Sequence, residues 1–319
     1  PVNRGLEFSD NPSSSFPVWR LHNVHMSPDF ANDDTIFSST WPQLVRSGDG
    51  GRSWRRISLP KAPDGSAPRL FVIGVSPDFG ADATVYAGTS QGALYRSREG
   101  GDPGTWEALS TLPTRIRSLG VGPATGDGRI ILAGTAEHVY RSVDGGSTWT
   151  QCDTGIDGVP ALGAQVMLSP DFDRDGTVLA AAEGGLSISR DWGANWTRNR
   201  AIEAGPVEAA AFSPAFADDG TMLASVRGHG LHRSTDRGAS FESVGNDLID
   251  ANLLIADYSV PSSSPIQFSP AFATDRTVFA YAQQEVLRST DGGVTWEILE
   301  FPTSSDVRAA LTADDGDRN

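Results

Sequence analysis

A nine-residue stretch, RSTDGGVTW at 288–296, returns along the chain, and its repetition restricts the fold more than any other property of the sequence. It recurs as RSGDGGRSW (46–54), RSVDGGSTW (141–149), SRDWGANW (189–196) and RSTDRGASF (233–241), with a looser copy, RSREGGDPGTW, at 96–106. The serines of the six copies stand at 47, 97, 142, 189, 234 and 289, so successive copies lie 45 to 55 residues apart. One copy of an Asp between small residues suits a catalytic or calcium loop. Six copies suit a structural turn.

A second element keeps the same beat: SPDFANDDTIF (27–37), SPDFGADATVY (76–86), GPATGDGRII (122–131), SPDFDRDGTVL (169–179), SPAFADDGTML (213–223) and SPAFATDRTVF (269–279). An alternating apolar run such as LFVIGV or VEAAAF precedes it and a β-rich run such as TVYAGT follows, which reads as strand, turn, strand. A third strand (ALYRS, GLHRS) leads into the nine-residue box and a fourth starts at its aromatic residue. Four short strands, A to D, in each repeat and no long helical periodicity predict an all-β chain of propeller blades.

Within each box the chemistry favours a hairpin clamp. The carboxylate accepts backbone N–H groups that a tight turn leaves unpaired, the glycines supply positive φ, the serine adds a hydrogen bond and the aromatic wedges between sheets. The residues in these roles are Ser47, Asp49 and Trp54; Ser97, Glu99 and Trp106; Ser142, Asp144 and Trp149; Ser189, Asp191 and Trp196; Ser234, Asp236 and Phe241; and Ser289, Asp291 and Trp296.

This Ser-x-Asp-x-Gly-x-x-Trp pattern resembles the Asp-box, or BNR repeat, of sialidases, xyloglucanase-type glycosidases, sortilin-like receptors and photosystem-assembly propellers, and it covers nearly the whole chain. The resemblance implies a β-propeller. It implies no single function, because that fold carries unrelated activities.

The termini bear on blade number. VRAALTAD (307–314) aligns with VEAAAFSP (207–214), and GLEFSDNPSSSF (5–16) aligns with GLHRSTDRGASF (230–241) as a worn copy with Asn11 for Asp and Phe16 for Trp. Seven blades are therefore expected in a single domain over 1–319, with six as the alternative. Full blades are placed at 21–60, 69–112, 115–155, 162–202, 206–248 and 265–302, and residues 1–20 and 303–319 compose the closing blade.

Composition narrows the partners. A net charge of −15 without a Lys/Arg cluster argues against nucleic acid. No run of 18 apolar residues marks an integral membrane protein. Cys152 is the only cysteine, so no internal disulfide forms. The absence of an initiator Met fits a processed or trimmed start, and secretion or cell-surface display is the expected location.

Both repeated motifs sit on one face of a propeller, so ligand sites are sought on the other, where the B–C and D–A loops gather. The residues singled out there are Trp41, Glu137, His138, Glu183, Arg227, His229 and Glu285, with Tyr258 in the long insertion 244–267. Each has an ordinary reading as a solvated loop residue, and Trp41 has one as a blade-packing aromatic. Asp171, Asp173 and Asp175, followed by Gly176, have the one-three-five spacing of a calcium loop, but position twelve is Ala182 instead of Glu. The acid at position 175 also recurs as Asp33, Asp82, Asp127, Asp219 and Asp275, as expected of a turn former, so no cofactor beyond this possible calcium is expected.

Sialidases carry an early Arg-Ile-Pro motif, which PTRIRS (113–118) does not reproduce, and xyloglucanase-type enzymes set two carboxylates between two propellers. The expectation is a non-catalytic extracellular scaffold that binds a protein or a glycan through its loop face. A glycoside hydrolase fragment or relic, and an assembly factor docking on a larger complex, are the alternatives.

Overall fold

The computed structural model describes residues 23–39, 44–61, 65, 67–126, 128–158, 164–202, 205–245, 265–282 and 285–299. Their 24 strands form six four-stranded antiparallel sheets, each paired in chain order and arranged as blades of a propeller ring. The first blade is β1 (Asn23–Met26), β2 (Ile36–Ser39), β3 (Leu44–Ser47) and β4 (Arg55–Ile57). The second is β5 (Leu70–Val75), β6 (Val85–Thr89), β7 (Ala93–Ser97) and β8 (Glu107–Thr111), and the third is β9 (Ile116–Thr125), β10 (Gly128–Thr135), β11 (Val139–Ser142) and β12 (Thr150–Gln151). The fourth comprises β13 (Gln165–Leu168), β14 (Val178–Ala182), β15 (Gly185–Ser189) and β16 (Thr197–Arg198). The fifth comprises β17 (Val207–Phe212), β18 (Met222–Val226), β19 (Gly230–Ser234) and β20 (Glu242–Val244). The sixth comprises β21 (Ile266–Phe268), β22 (Val278–Ala282), β23 (Glu285–Ser289) and β24 (Glu297–Leu299).

Six blades, not seven, are formed by the described residues, which corrects the expected number. A blade needs four paired strands, and the described strands are all used in six sheets. The segments read as a composite closing blade, 1–20 and 303–319, lie outside the described residues.

Strand B of a blade is sandwiched between neighbouring sheets, so it reads as a continuous run of apolar and small residues. VYAGT, VLAAA and MLASV are buried at every position. Gly88 shows why some of these residues are small: a Cβ there would stand 2.7 Å from the Val72 side chain.

In five of the six blades the A–B connection holds one helical turn, and the acid that recurs in it is spent on that turn. Ser169 Oγ donates to Asp175 at 2.7 Å, and the Thr177 N–H donates to the same carboxylate at 2.7 Å. The pattern repeats at Ser27/Asp33, Ser76/Asp82, Ser213/Asp219 and Ser269/Asp275. In blade three a long β9–β10 hairpin replaces the helical turn, and its Arg129 reaches back to Ser76 Oγ at 2.5 Å and to Asp82 in blade two.

In the C–D turn, Ser289 Oγ donates to Asp291 at 2.8 Å and accepts the Gly293 N–H at 2.8 Å, while Thr295 donates to Asp291 through its N–H at 3.0 Å and its hydroxyl at 2.6 Å. Partial burial alone would raise the Asp291 carboxyl, but the hydrogen bonds from Thr295, Ser289 and Val294 outweigh it and hold its pKa at about 2. Where Glu99 stands in the acidic position, Thr105 contacts the serine at 2.6 Å instead. The residue after the acid then joins the two repeated motifs: the N–H of Gly50, Gly145, Trp192 and Gly292 donates to the carbonyl of Asp34, Arg129, Gly176 and Arg276, respectively. This residue has positive φ even where it is not glycine, 58° at Trp192 and 61° at Arg237.

Two contacts tie each blade to the next. The box aromatic packs in the core shared with the preceding blade: Trp106 between blades one and two, Trp149 between two and three, Trp196 between three and four, Phe241 between four and five, and Trp296 between five and six. In the opposite sense, the last arginine of strand C reaches the following blade's C–D turn. Arg96 contacts Gly145 O at 3.5 Å, Arg141 donates to Trp192 O at 2.7 Å, and Arg233 donates to Gly292 O at 2.8 Å.

Candidate ligand site on the loop face

Strand A begins on the loop face, and in three blades it begins with a β-bulge. The extra residues are Phe71, Arg117 and Glu208, each opposite a break in register with strand B. A bulge leaves one residue out of the ladder and re-aims its side chain. It is this irregularity that lets a carboxylate occupy the apolar run VEAAAF.

Glu208 is buried, with its side chain 2% exposed, and Arg227 of the β18–β19 loop donates from Nε to its carboxylate at 2.6 Å. Arg227 also reaches across the blade junction, where its other amino group stands 3.5 Å from Glu183 in the β14–β15 loop. Burial pushes the Glu208 carboxyl upward; the hydrogen bond and charge of Arg227 oppose the rise, and the Glu183 charge adds to it. One guanidinium thus bridges two carboxylates from two blades.

Of the residues singled out in the sequence, the structure therefore brings Glu183 and Arg227 together. His229 lies two residues on in the same β18–β19 loop, its N–H bonded to Val226 O at 3.0 Å. His138 belongs to a separate cluster in blade three: its Nδ1 is 2.7 Å from Asp153 and 3.0 Å from the Gln151 amide, and its ring meets Tyr140 edge-on at 6.1 Å. Glu137 is in the same loop, its N–H bonded to Thr135 Oγ1 at 3.3 Å. Trp41 and Tyr258 lie outside the described residues, as does the Glu285 side chain. Glu208 was not anticipated; its signal was one charge inside an otherwise apolar strand.

Two of the carboxylates with calcium-loop spacing, Asp171 and Asp175, have partners within their own turn. Asp175 is committed to Ser169 and Thr177, Asp171 is 3.2 Å from Arg174, and among the described residues no three His, Cys, Asp or Glu side chains converge as a metal-ligand set. Among the same residues no helix is long and apolar enough to cross a membrane.

No family model matches the chain. A xyloglucanase from Paenibacillus sp is 28% identical over a stretch that covers 36% of this chain and 14% of that protein, so the chain spans about a seventh of the length of this relative. Among solved structures, an ancestral GH74 enzyme superposes with a TM-score of 0.65 at 16% identity, covering 89% of this chain and 39% of that one. YCF48 from Cyanidioschyzon merolae gives 0.62 at 17% identity over 89% of this chain and 86% of that one, and YCF48 bound to D1 peptide gives 0.58 at 16% identity over 87% and 80%. These likenesses establish the β-propeller fold.

Proposed function

We propose that the chain is a non-catalytic propeller scaffold of the Asp-box class, displayed outside the cell or at its surface, which holds a glycan or a protein segment on its loop face at the junction of blades four and five. The observation that carries this reading is the Glu183–Arg227–Glu208 bridge, made of residues that the repeat does not dictate and set on the face free of structural turns. Glycoside hydrolysis needs an acid and a second carboxylate with the scissile bond between them. Here the protein's own guanidinium occupies that space, which favours recognition over turnover.

The partial similarity to a xyloglucanase makes a glycan the first ligand to test, and it is also what supports the second reading, a propeller from a larger glycoside hydrolase. A glycan array and a pull-down with the wild type and Glu183→Gln address the first reading; Arg227→Ala is less suitable because it strands a buried Glu208. Weaker binding by Glu183→Gln at unchanged folding is expected. Unaltered binding refutes the site, and turnover of xyloglucan or an aryl-glycoside by the purified chain refutes the non-catalytic reading.

A further inference from the structure

The junction of blades four and five departs from all its counterparts at two positions, 188 and 241, and at a third, 197, lacks an acid that blades one (Arg55) and three (Thr150) also lack. Where Arg96, Arg141 and Arg233 reach forward to the next blade, β15 carries Ile188. Where Glu107, Glu242 and Glu297 pair with the strand-C arginine of their own blade, β16 carries Thr197. Where the other five boxes end in Trp, the fifth ends in Phe241.

Two of these losses are made good within the chain. Arg190, two residues beyond Ile188, donates to Arg237 O at 3.0 Å and so restores the clasp on the next turn. Asn199 donates to Gly238 O at 2.7 Å, the carbonyl that an indole N–H reaches at Gly51, Gly101 and Gly293. The third loss, the carboxylate at position 197, has no replacement.

An open groove of about 620 Å³ lies there, on the face of the structural turns, with Ile188, Arg190, Asn195, Thr197 and Arg200 along it. Among the described residues neither Arg190 nor Arg200 has a carboxylate partner, and the lining acid Asp191 is already engaged by Ser189 and by the backbone and side chain of Asn195. On a chain of net charge −15, two guanidinium groups without a carboxylate partner among the described residues make this groove a place suited to an anion. Planar guanidinium forks match carboxylates, while Thr197 and Asn195 offer hydrogen-bonding groups to hydroxyls beside them.

We propose that this groove is a second ligand site, which takes the carboxylate of an acidic, uronate-type saccharide in the place that blades two, five and six fill with their own Glu. The site shares no residue with the loop-face cluster, so either can fail without the other.

The decisive variant is Thr197→Glu, which installs the side chain that blades two, five and six already carry and therefore suits the fold. Titration calorimetry with trigalacturonate should show binding by the wild type, a loss of about tenfold or more in Thr197→Glu and in Arg200→Ala, and no binding of a neutral trisaccharide. Circular dichroism checks that both variants remain folded. Equal binding of the neutral sugar, undiminished binding by folded Thr197→Glu, or inorganic sulfate binding as tightly as trigalacturonate would each overturn the proposal.

Discussion

Asn199 and Phe241 should behave as one unit, although they lie in different blades. Gly238 is buried, and its carbonyl takes the Asn199 amide N–H at 2.7 Å in place of the indole that Phe241 lacks. Asn199→Ala removes that donor. A buried acceptor left unpaired costs about 1–3 kcal/mol, and since Asn199 is half-buried the lower part of that range, about 1–2 kcal/mol, is expected. Phe241→Trp brings an indole that reaches the same carbonyl, as Trp296 reaches Gly293 O at 3.1 Å. The substitution should be nearly neutral alone and should recover about 1 kcal/mol in the Asn199→Ala background. A double-mutant cycle by urea denaturation, followed by far-UV circular dichroism, reads that coupling directly. Strictly additive effects would show that the amide and the indole are not alternatives, and the account of this junction would fall with them.

Ser289→Ala should destabilise the ring by about 1–3 kcal/mol, because Ser289 is buried and the Gly293 N–H loses its acceptor; thermal melting measures this, and an unchanged midpoint contradicts the clamp. Acid should unfold the protein between about pH 4 and 2. Asp49 and Asp236 are held at about 2 by Ser53 and Ser240 first, and Asp144 and Asp291 reach about 2 because hydrogen bonds from Thr148 and Thr295 outweigh partial burial. Folded carboxyls with depressed pKa contribute stability that is complete above the ordinary carboxylate range and lost as pH falls through the folded value; a melting midpoint flat from pH 5 to 2 contradicts this. Burial pushes the Cys152 thiol up to about 12, so it should resist a thiol reagent at pH 8 until denaturant is added; prompt labelling of the native protein refutes that placement.

The blades were legible in the sequence because each carries its own signature: alternation in strand A, an apolar strand B and a turn of fixed spacing before strand D. The number seven was drawn from weak matches at 5–16 and 307–314, which lie outside the described residues, whose strands make six sheets. The strand-C arginines could not be interpreted from spacing, since Arg96, Arg141 and Arg233 act on a carbonyl in the following blade; Arg233 and Gly292 are 59 residues apart. Glu183 and Arg227 were noticed as loop residues off the repeat, but their partner Glu208 was hidden in a strand, where only the bulge explains a carboxylate. The Trp-to-Phe change at 241 was visible too. Its consequence was not, because it depends on what Ile188, Thr197 and Asn199 do across the junction.

The links between blades also have a direction in time. In each pair the forward-reaching arginine lies on the earlier blade, and the box aromatic of the later blade packs back on a surface made before it. A chain synthesised from its N-terminus therefore presents each new blade with a finished template, and the new turn finds its arginine already in place. Loss of a late blade strips only the newest layer, whereas loss of an early one removes the surface on which its successor is built.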